Sequence, residues 1–132
     1  MQTVTGIGGF FFRADDWETL AAWYRDTLGI DPVPTSYGAK SWHQQAGPTV
    51  FTPMPEAMDQ FGAPEKVWGI NFRVPDLDAM VAQLISAGIE VSVDPGVYPN
   101  GRFASLFDPE GNPIQLWEPA GVDAPPGLSE PR

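Results

Sequence analysis

Few side chains in this sequence can do chemistry. The single histidine is His43, in SWHQQ. It alone, unperturbed, changes charge near neutral pH, which makes it the candidate catalytic acid or base; a surface or structural histidine is the plainer alternative. Arg13 and Arg73 stand in FFRADD and NFRVPD. A guanidinium can hold a ligand carboxylate or phosphate with two parallel hydrogen bonds. Each arginine also has an aspartate nearby, Asp15 or Asp76, with which it is expected to pair at a strand end. Near the end of the chain, DPEGNPIQLWEP (residues 108–119) reads as a Pro-Gly turn followed by a strand that carries Gln115 and Trp117. The absence of cysteine removes disulfides, thiolate metal sites and a cysteine nucleophile. No Ser-His-Asp set, phosphate-cradling glycine loop or pair of catalytic carboxylates has the required spacing. Glu118 alternates away from Gln115 and Trp117, and Glu56 follows Pro55 in a solvated turn, so neither is expected to catalyse.

A chain of 132 residues, 42% hydrophobic and 12% aromatic, supports one folded domain with a true core. Its net charge of −10 argues against nucleic acid and anionic membrane surfaces as partners. No apolar run approaches the roughly 20 residues of a membrane span. The opening MQTVTGIGG lacks a basic region followed by an apolar run, so no export signal is read and a cytoplasmic protein is expected.

Positioning falls to a repeat. GFFFRADDWETLAAWY (9–24) returns as GINFRVPDLDAMVAQL (69–84) at a constant offset of 60, pairing Gly9 with Gly69, Phe12 with Phe72, Arg13 with Arg73 and Asp16 with Asp76. Trp17, Leu20, Ala21 and Tyr24, and then Leu77, Met80, Val81 and Leu84, have the spacing of a helix with one buried face. Asp16 and Asp76 are the expected N-caps, and Gly29 and Gly88 the expected stops. Strands are predicted over 8–14 and 67–74 before the helices. After them, two strands are predicted within 33–45 and one over 46–55 in the first half, and strands over 89–94, 102–107 and 114–118 in the second. Each half reads β-α-β-β-β: unit one at 5–55, a connection at 56–65, unit two at 66–119, then a Pro/Gly-rich tail at 120–132.

FFRADDWETLAAWYRDTLGI, INFRVPDLDAMVAQLISAGIEV and GRFASLFDPEGNPIQLWEP, in that order over about residues 5–119, resemble the vicinal oxygen chelate superfamily, which includes glyoxalase I, extradiol dioxygenases, and fosfomycin and bleomycin resistance proteins. The resemblance implies an α+β fold: two tandem β-α-β-β-β units in a cup-shaped, incompletely closed mixed barrel, with helices outside. It also implies a homodimer. The family's metal ligands come from four strand positions, which fall here on Gly9, Phe51, Gly69 and Gln115. Glycine and phenylalanine offer no donor atom, and a neutral amide is a poor substitute for carboxylate, so no metal and no cofactor are expected. The metal-dependent glyoxalase I reaction is not expected either.

Strand alternation puts Phe11 and Arg13 on the face of Gly9, Asn71 and Arg73 on that of Gly69, and Trp117 on that of Gln115, with Phe51 joining them. Phe10, Phe12, Ile70, Phe72, Ile114 and Leu116 face the helices. Aromatic walls (Phe11, Phe51, Trp117) with polar points (Arg13, Asn71, Arg73, Gln115) suit a planar, partly aromatic ligand, and two glycines leave room at the floor. The plain alternative is that these rings fill the interior. The leading expectation is a metal-free binding protein of the bleomycin resistance type. An enzyme ranks second, either metal-free with His43 as acid or base or with its metal elsewhere; an interaction module with a filled cup ranks third. The acidic surface favours a cationic ligand while Arg13 and Arg73 favour an anionic end, and the sequence leaves both open.

Overall fold

Both helices begin at the predicted caps. In this computed structural model, which describes residues 1–59 and 61–125, α1 spans Trp17–Leu28 and α2 spans Leu77–Ser86. Asp16 accepts from the Thr19 amide at 3.2 Å and the Thr19 hydroxyl at 2.7 Å, and Asp76 accepts from the Ala79 amide at 3.0 Å. Two distant glutamates complete the caps. Glu110 accepts from the Asp15 and Asp16 amides at 2.8 and 3.1 Å, and Glu118 accepts from the Leu77 amide at 2.7 Å. Carboxylates at a helix start satisfy N–H groups that the helix itself leaves unpaired, and they suit its positive end. Gly29, at φ 75°, closes α1 in the left-handed region that glycine enters without strain.

The sheet is built from the second half. Strands β1 (Ile70–Arg73), β2 (Ser92–Val93), β3 (Gly101–Phe107) and β4 (Pro113–Pro119) lie in the order β1-β4-β3-β2. β1 runs parallel to β4, while β3 is antiparallel to both β4 and β2, so the sheet is mixed and open. The β3–β4 hairpin closes with Asp108 N donating to Asn112 O at 3.0 Å and Gly111 N to Asp108 O at 2.9 Å, Gly111 having φ 81°. A turn ending in a left-handed glycine is a favoured three-residue hairpin loop. Asp108 is buried there yet fully partnered. It accepts from the Glu110 and Asn112 amides, from Asn112 Nδ2 at 2.8 Å and from the Tyr24 hydroxyl of α1 at 2.7 Å. That contact joins the loop to the first half.

Ile70, Phe72, Ala104, Leu106, Ile114 and Leu116 pack under the helices with Leu20, Tyr24, Leu77, Val81 and Leu84. Leu77, Leu84, Ile114 and Leu116 are fully buried, each contributing about 1.5–3 kcal/mol by leaving water.

The first half differs from expectation. Residues 8–14, 33–45 and 46–55 form no strand, and Val33, Tyr37, Val50 and Phe51 are exposed. A strand exists only where a neighbouring edge takes up its backbone groups, and these segments meet no such edge among the described residues. Alternation nevertheless survives in the contacts of 10–12. Phe10 and Phe12 lie 5.0 and 5.1 Å from Trp68, and Phe12 6.2 Å from Tyr24, whereas Phe11 points to solvent. The molecule is α+β, with two α-helices and one mixed four-stranded sheet among the described residues. Of the predicted tail, a 3-10 turn at Gly121–Asp123 is seen and residues 126–132 lie outside the described residues; so does Gln60 in the predicted connection.

Candidate functional site

The face of the sheet turned away from the helices is set by register. One row across it runs Asn71, Gln115, Ser105, Ser92, and the next runs Arg73, Trp117, Phe103. The structure therefore brings four of the sequence-predicted residues (Asn71, Arg73, Gln115, Trp117) onto adjacent positions of two paired strands. Asn71 Nδ2 donates to Gln115 Oε1 at 2.8 Å. Trp117 Nε1 donates to Asn100 O at 2.8 Å, and the Trp117 ring lies parallel to Phe103, with planes 3° apart and centroids 6.3 Å apart.

A pocket of about 310 Å³ opens on this face, lined by Ser92, Val93, Asp94, Pro95, Phe103, Ala104, Ser105 and Gln115. Its aromatic wall is Phe103. Trp117 was the expected wall, but it is only 4% exposed and supports Phe103 from beside. Phe103, Ser105 and Ser92 were legible in principle, because the alternation applied to residues 114–118 also holds for 102–107. Asp94 was not, since its place depends on the loop after β2. Its Oδ1 accepts from the Gly96 amide at 2.8 Å, and both its oxygens lie within 3.1 Å of the Tyr98 hydroxyl. That hydrogen bond, with the nearby negative charge, pushes the Tyr98 phenol above its ordinary range.

Arg73 is not paired with Asp76, which is engaged as a helix cap. Its Nη2 donates to Gln45 O at 3.0 Å, and the guanidinium lies so close to Gly47 that a Cβ there would collide with it. Arg13 is exposed and forms no ion pair among the described residues, so its expected pairing with Asp15 is not observed. Phe11 and Phe51 are 92% and 85% exposed and do not line the pocket. His43 is exposed, its Nδ1 2.8 Å from Ser41 O, and it also lies outside the pocket lining. A larger hollow of about 550 Å³ borders the chain at 118–125. Its one charged side chain, Glu118, is occupied as the cap of α2.

The sequence profile of the Glyoxalase/Bleomycin resistance protein/Dioxygenase superfamily matches residues 6–116. The chain belongs to this superfamily. It is 33% identical over 132 residues to the anthracycline biosynthesis protein DauV of Streptomyces sp. (strain C5), covering 91% of this chain and 47% of that one. The chain thus spans less than half the length of the curated relatives it matches first. Among solved structures it resembles TnmS3, an antibiotic binding protein from Streptomyces sp. CB03234, with TM-score 0.61, 23% identity, and 90% and 99% of the two chains covered. It also resembles lactoylglutathione lyase from Agrobacterium tumefaciens, with TM-score 0.58, 21% identity, and 89% and 96% covered. At these identities the two structures speak for the fold alone.

The residues that the sequence resemblance sets at the family's metal positions, Gly9, Phe51, Gly69 and Gln115, offer no donor set that fits a metal. A Cβ on Gly9 would lie 2.7 Å from the Phe11 ring, and one on Gly69 2.9 Å from the Phe61 ring, so each glycine has a ring beside it. Phe51 has no donor atom, and the Gln115 amide oxygen is engaged by Asn71. Among the described residues, no three His, Cys, Asp or Glu side chains cluster as a metal site.

Proposed function

We propose that this protein binds a planar, partly aromatic small molecule on the open face of its sheet, without a metal. The observation that carries the reading is the pocket beside Phe103, where an aromatic surface adjoins the hydroxyls of Ser92 and Ser105 and the Gln115 amide. Apolar side chains (Val93, Pro95, Phe103, Ala104) and polar ones (Ser92, Asp94, Ser105, Gln115) thus share the lining, and directed polar groups are what orient a ligand in a small-molecule pocket. The relative named for anthracycline biosynthesis and the fold neighbour named as an antibiotic binding protein support aromatic natural products as the ligand class. Asn71 and Trp117 shape this face, and Arg73 borders it.

The protein works as a homodimer in this reading, and a second copy covers the first-half segments that carry Phe11, Arg13 and Phe51. Two tandem units then close into a cup, and the protein acts in the cytoplasm. Exposure of Phe11, Val33, Val50 and Phe51 supports the pairing, because apolar patches of this kind usually mark an interface. Thermal-shift screening of planar antibiotics and aromatic acids against chelator-dialysed protein tests the binding. A ligand specific to the folded state raises the melting temperature, by an amount that grows with concentration. A screen without a single such shift removes the reading.

The biosynthetic name of the relative favours a second reading, in which the bound molecule is chemically altered, with His43 as acid or base. Product analysis after incubation separates the two, since binding alone returns the ligand unchanged. A filled interaction module ranks below both, because the pocket beside Phe103 is open.

A further inference from the structure

The pocket contains a carboxylate that has been fixed in place but not neutralised. Asp94 follows β2, where its amide donates to Phe103 O at 3.0 Å, so its backbone is tied to the strand that bears the aromatic wall. Its side chain is then held from two sides by the Gly96 amide and the Tyr98 hydroxyl. A Cβ at Gly96 would lie 2.6 Å from the Tyr98 hydroxyl oxygen, so a larger residue there would push the Tyr98 ring aside. Tyr98 is itself fixed by paired backbone hydrogen bonds with Gly101 at 3.1 and 3.0 Å, and its ring centroid is 6.0 Å from that of Phe103. Trp117, Phe103 and Tyr98 thus form an aromatic ledge that ends at a carboxylate.

Among the described residues, the ion pairs are Arg25 with Asp26 and Arg102 with Asp78; none involves Asp94. A carboxylate accepts about four hydrogen bonds, and these two donors leave capacity on the pocket side. Both of its anchors, the Gly96 amide and the Tyr98 hydroxyl, are uncharged groups. Arg73, the residue that favoured an anionic ligand, faces Gln45 and Gly47 and does not line the pocket. The two opposed cues in the sequence therefore separate in space.

We infer that Asp94 is the specificity-determining residue of this pocket, selecting ligands in which a flat aromatic system carries a protonated amine, with the plane on Phe103 and the ammonium at the Asp94 carboxylate. Aromatic faces beside a carboxylate reinforce this choice, since both attract a cation. The inference rests on the binding reading above and adds to it the charge of the ligand.

Three probes sharing one ring system test it: 2-(aminomethyl)anthraquinone, 2-methylanthraquinone and anthraquinone-2-carboxylate, titrated into the full chain and followed by tryptophan fluorescence. The cationic probe is expected to bind about tenfold more tightly than the neutral one, with the carboxylate weakest, and the preference shrinks as salt is added. Asp94→Asn is expected to bring the affinities of the cationic and neutral probes to within about twofold of each other. Tyr98→Phe keeps the ring and the carboxylate but removes one anchor, so it should lower the preference by about two- to threefold even if the asparagine variant folds poorly. Binding of all three probes with equal affinity, or a cation preference that survives Asp94→Asn, overturns the role of Asp94 and leaves the binding reading standing. Failure of every probe to bind the native chain overturns both.

Discussion

The two halves of this chain carry the same sequence pattern, yet only one of them builds a sheet. In both, an aspartate caps a helix and a glycine follows its end, and the two helices form alike. In the second half, residues 101–107 and 113–119 pair across a three-residue loop, and β1 adds to their edge. In the first, the segments flanking α1 lie against the molecule without a ladder, and Phe11 and Phe51 remain exposed. Helices are secured by neighbours three and four residues away. Strands need an edge from elsewhere, and within this chain the second half supplies its own while the first does not.

If that contrast is correct, the largest effects of mutation fall in the second-half core. Leu116→Ala should cost about 2–5 kcal/mol by opening a cavity at a fully buried site, measured by urea denaturation. A loss under about 0.5 kcal/mol, the range of an ordinary surface change, would mean that the packing beneath the helices is not as described. Next comes the link between the halves. Asp108→Ala removes the acceptor of the buried Tyr24 hydroxyl and of three donors within the loop, and should cost about 1–3 kcal/mol.

Replacing Phe11 and Phe51 together with aspartate should change monomer stability by no more than about 0.5 kcal/mol, as expected at exposed positions. The same change should abolish self-association in sedimentation equilibrium at concentrations where the native chain pairs. A native chain that stays monomeric throughout would show that the first half needs no second copy.

The smallest effect is in pH. Burial, then the hydrogen bond to Asp108 and its charge, raise the Tyr24 phenol above its ordinary value. The folded state thus holds this proton more tightly than the unfolded one. The resulting stability is complete below the ordinary tyrosine value of about 10 and is lost as pH climbs above it. Tyr24→Phe should lack this alkaline decline in a series of melting curves.

What was legible in the sequence follows the same division. The caps Asp16 and Asp76, both helices, and the strands over 102–107 and 114–118 emerge close to their predicted bounds, whereas the strand expected over 67–74 shortens to Ile70–Arg73 and that over 89–94 to Ser92–Val93. Alternation also put Asn71, Arg73, Gln115 and Trp117 on one face, because parity holds whatever the neighbouring strand is. The partners of those residues were not legible. Arg73 turned to Gln45, Gln115 to Asn71 and Glu118 to the start of α2, and each choice depends on which segments meet in space. Phe61 beside Gly69 could not be foreseen either, since a glycine in a sequence does not reveal whose side chain will use its space.

The most direct test of the account is a two-dimensional amide spectrum of chelator-dialysed protein, recorded as 2-(aminomethyl)anthraquinone is added. Shifts should concentrate at Ser92, Asp94, Phe103, Ser105 and Gln115 and saturate with no metal present. Shifts that appear only after a divalent metal is supplied, or that bypass these five residues, would contradict it.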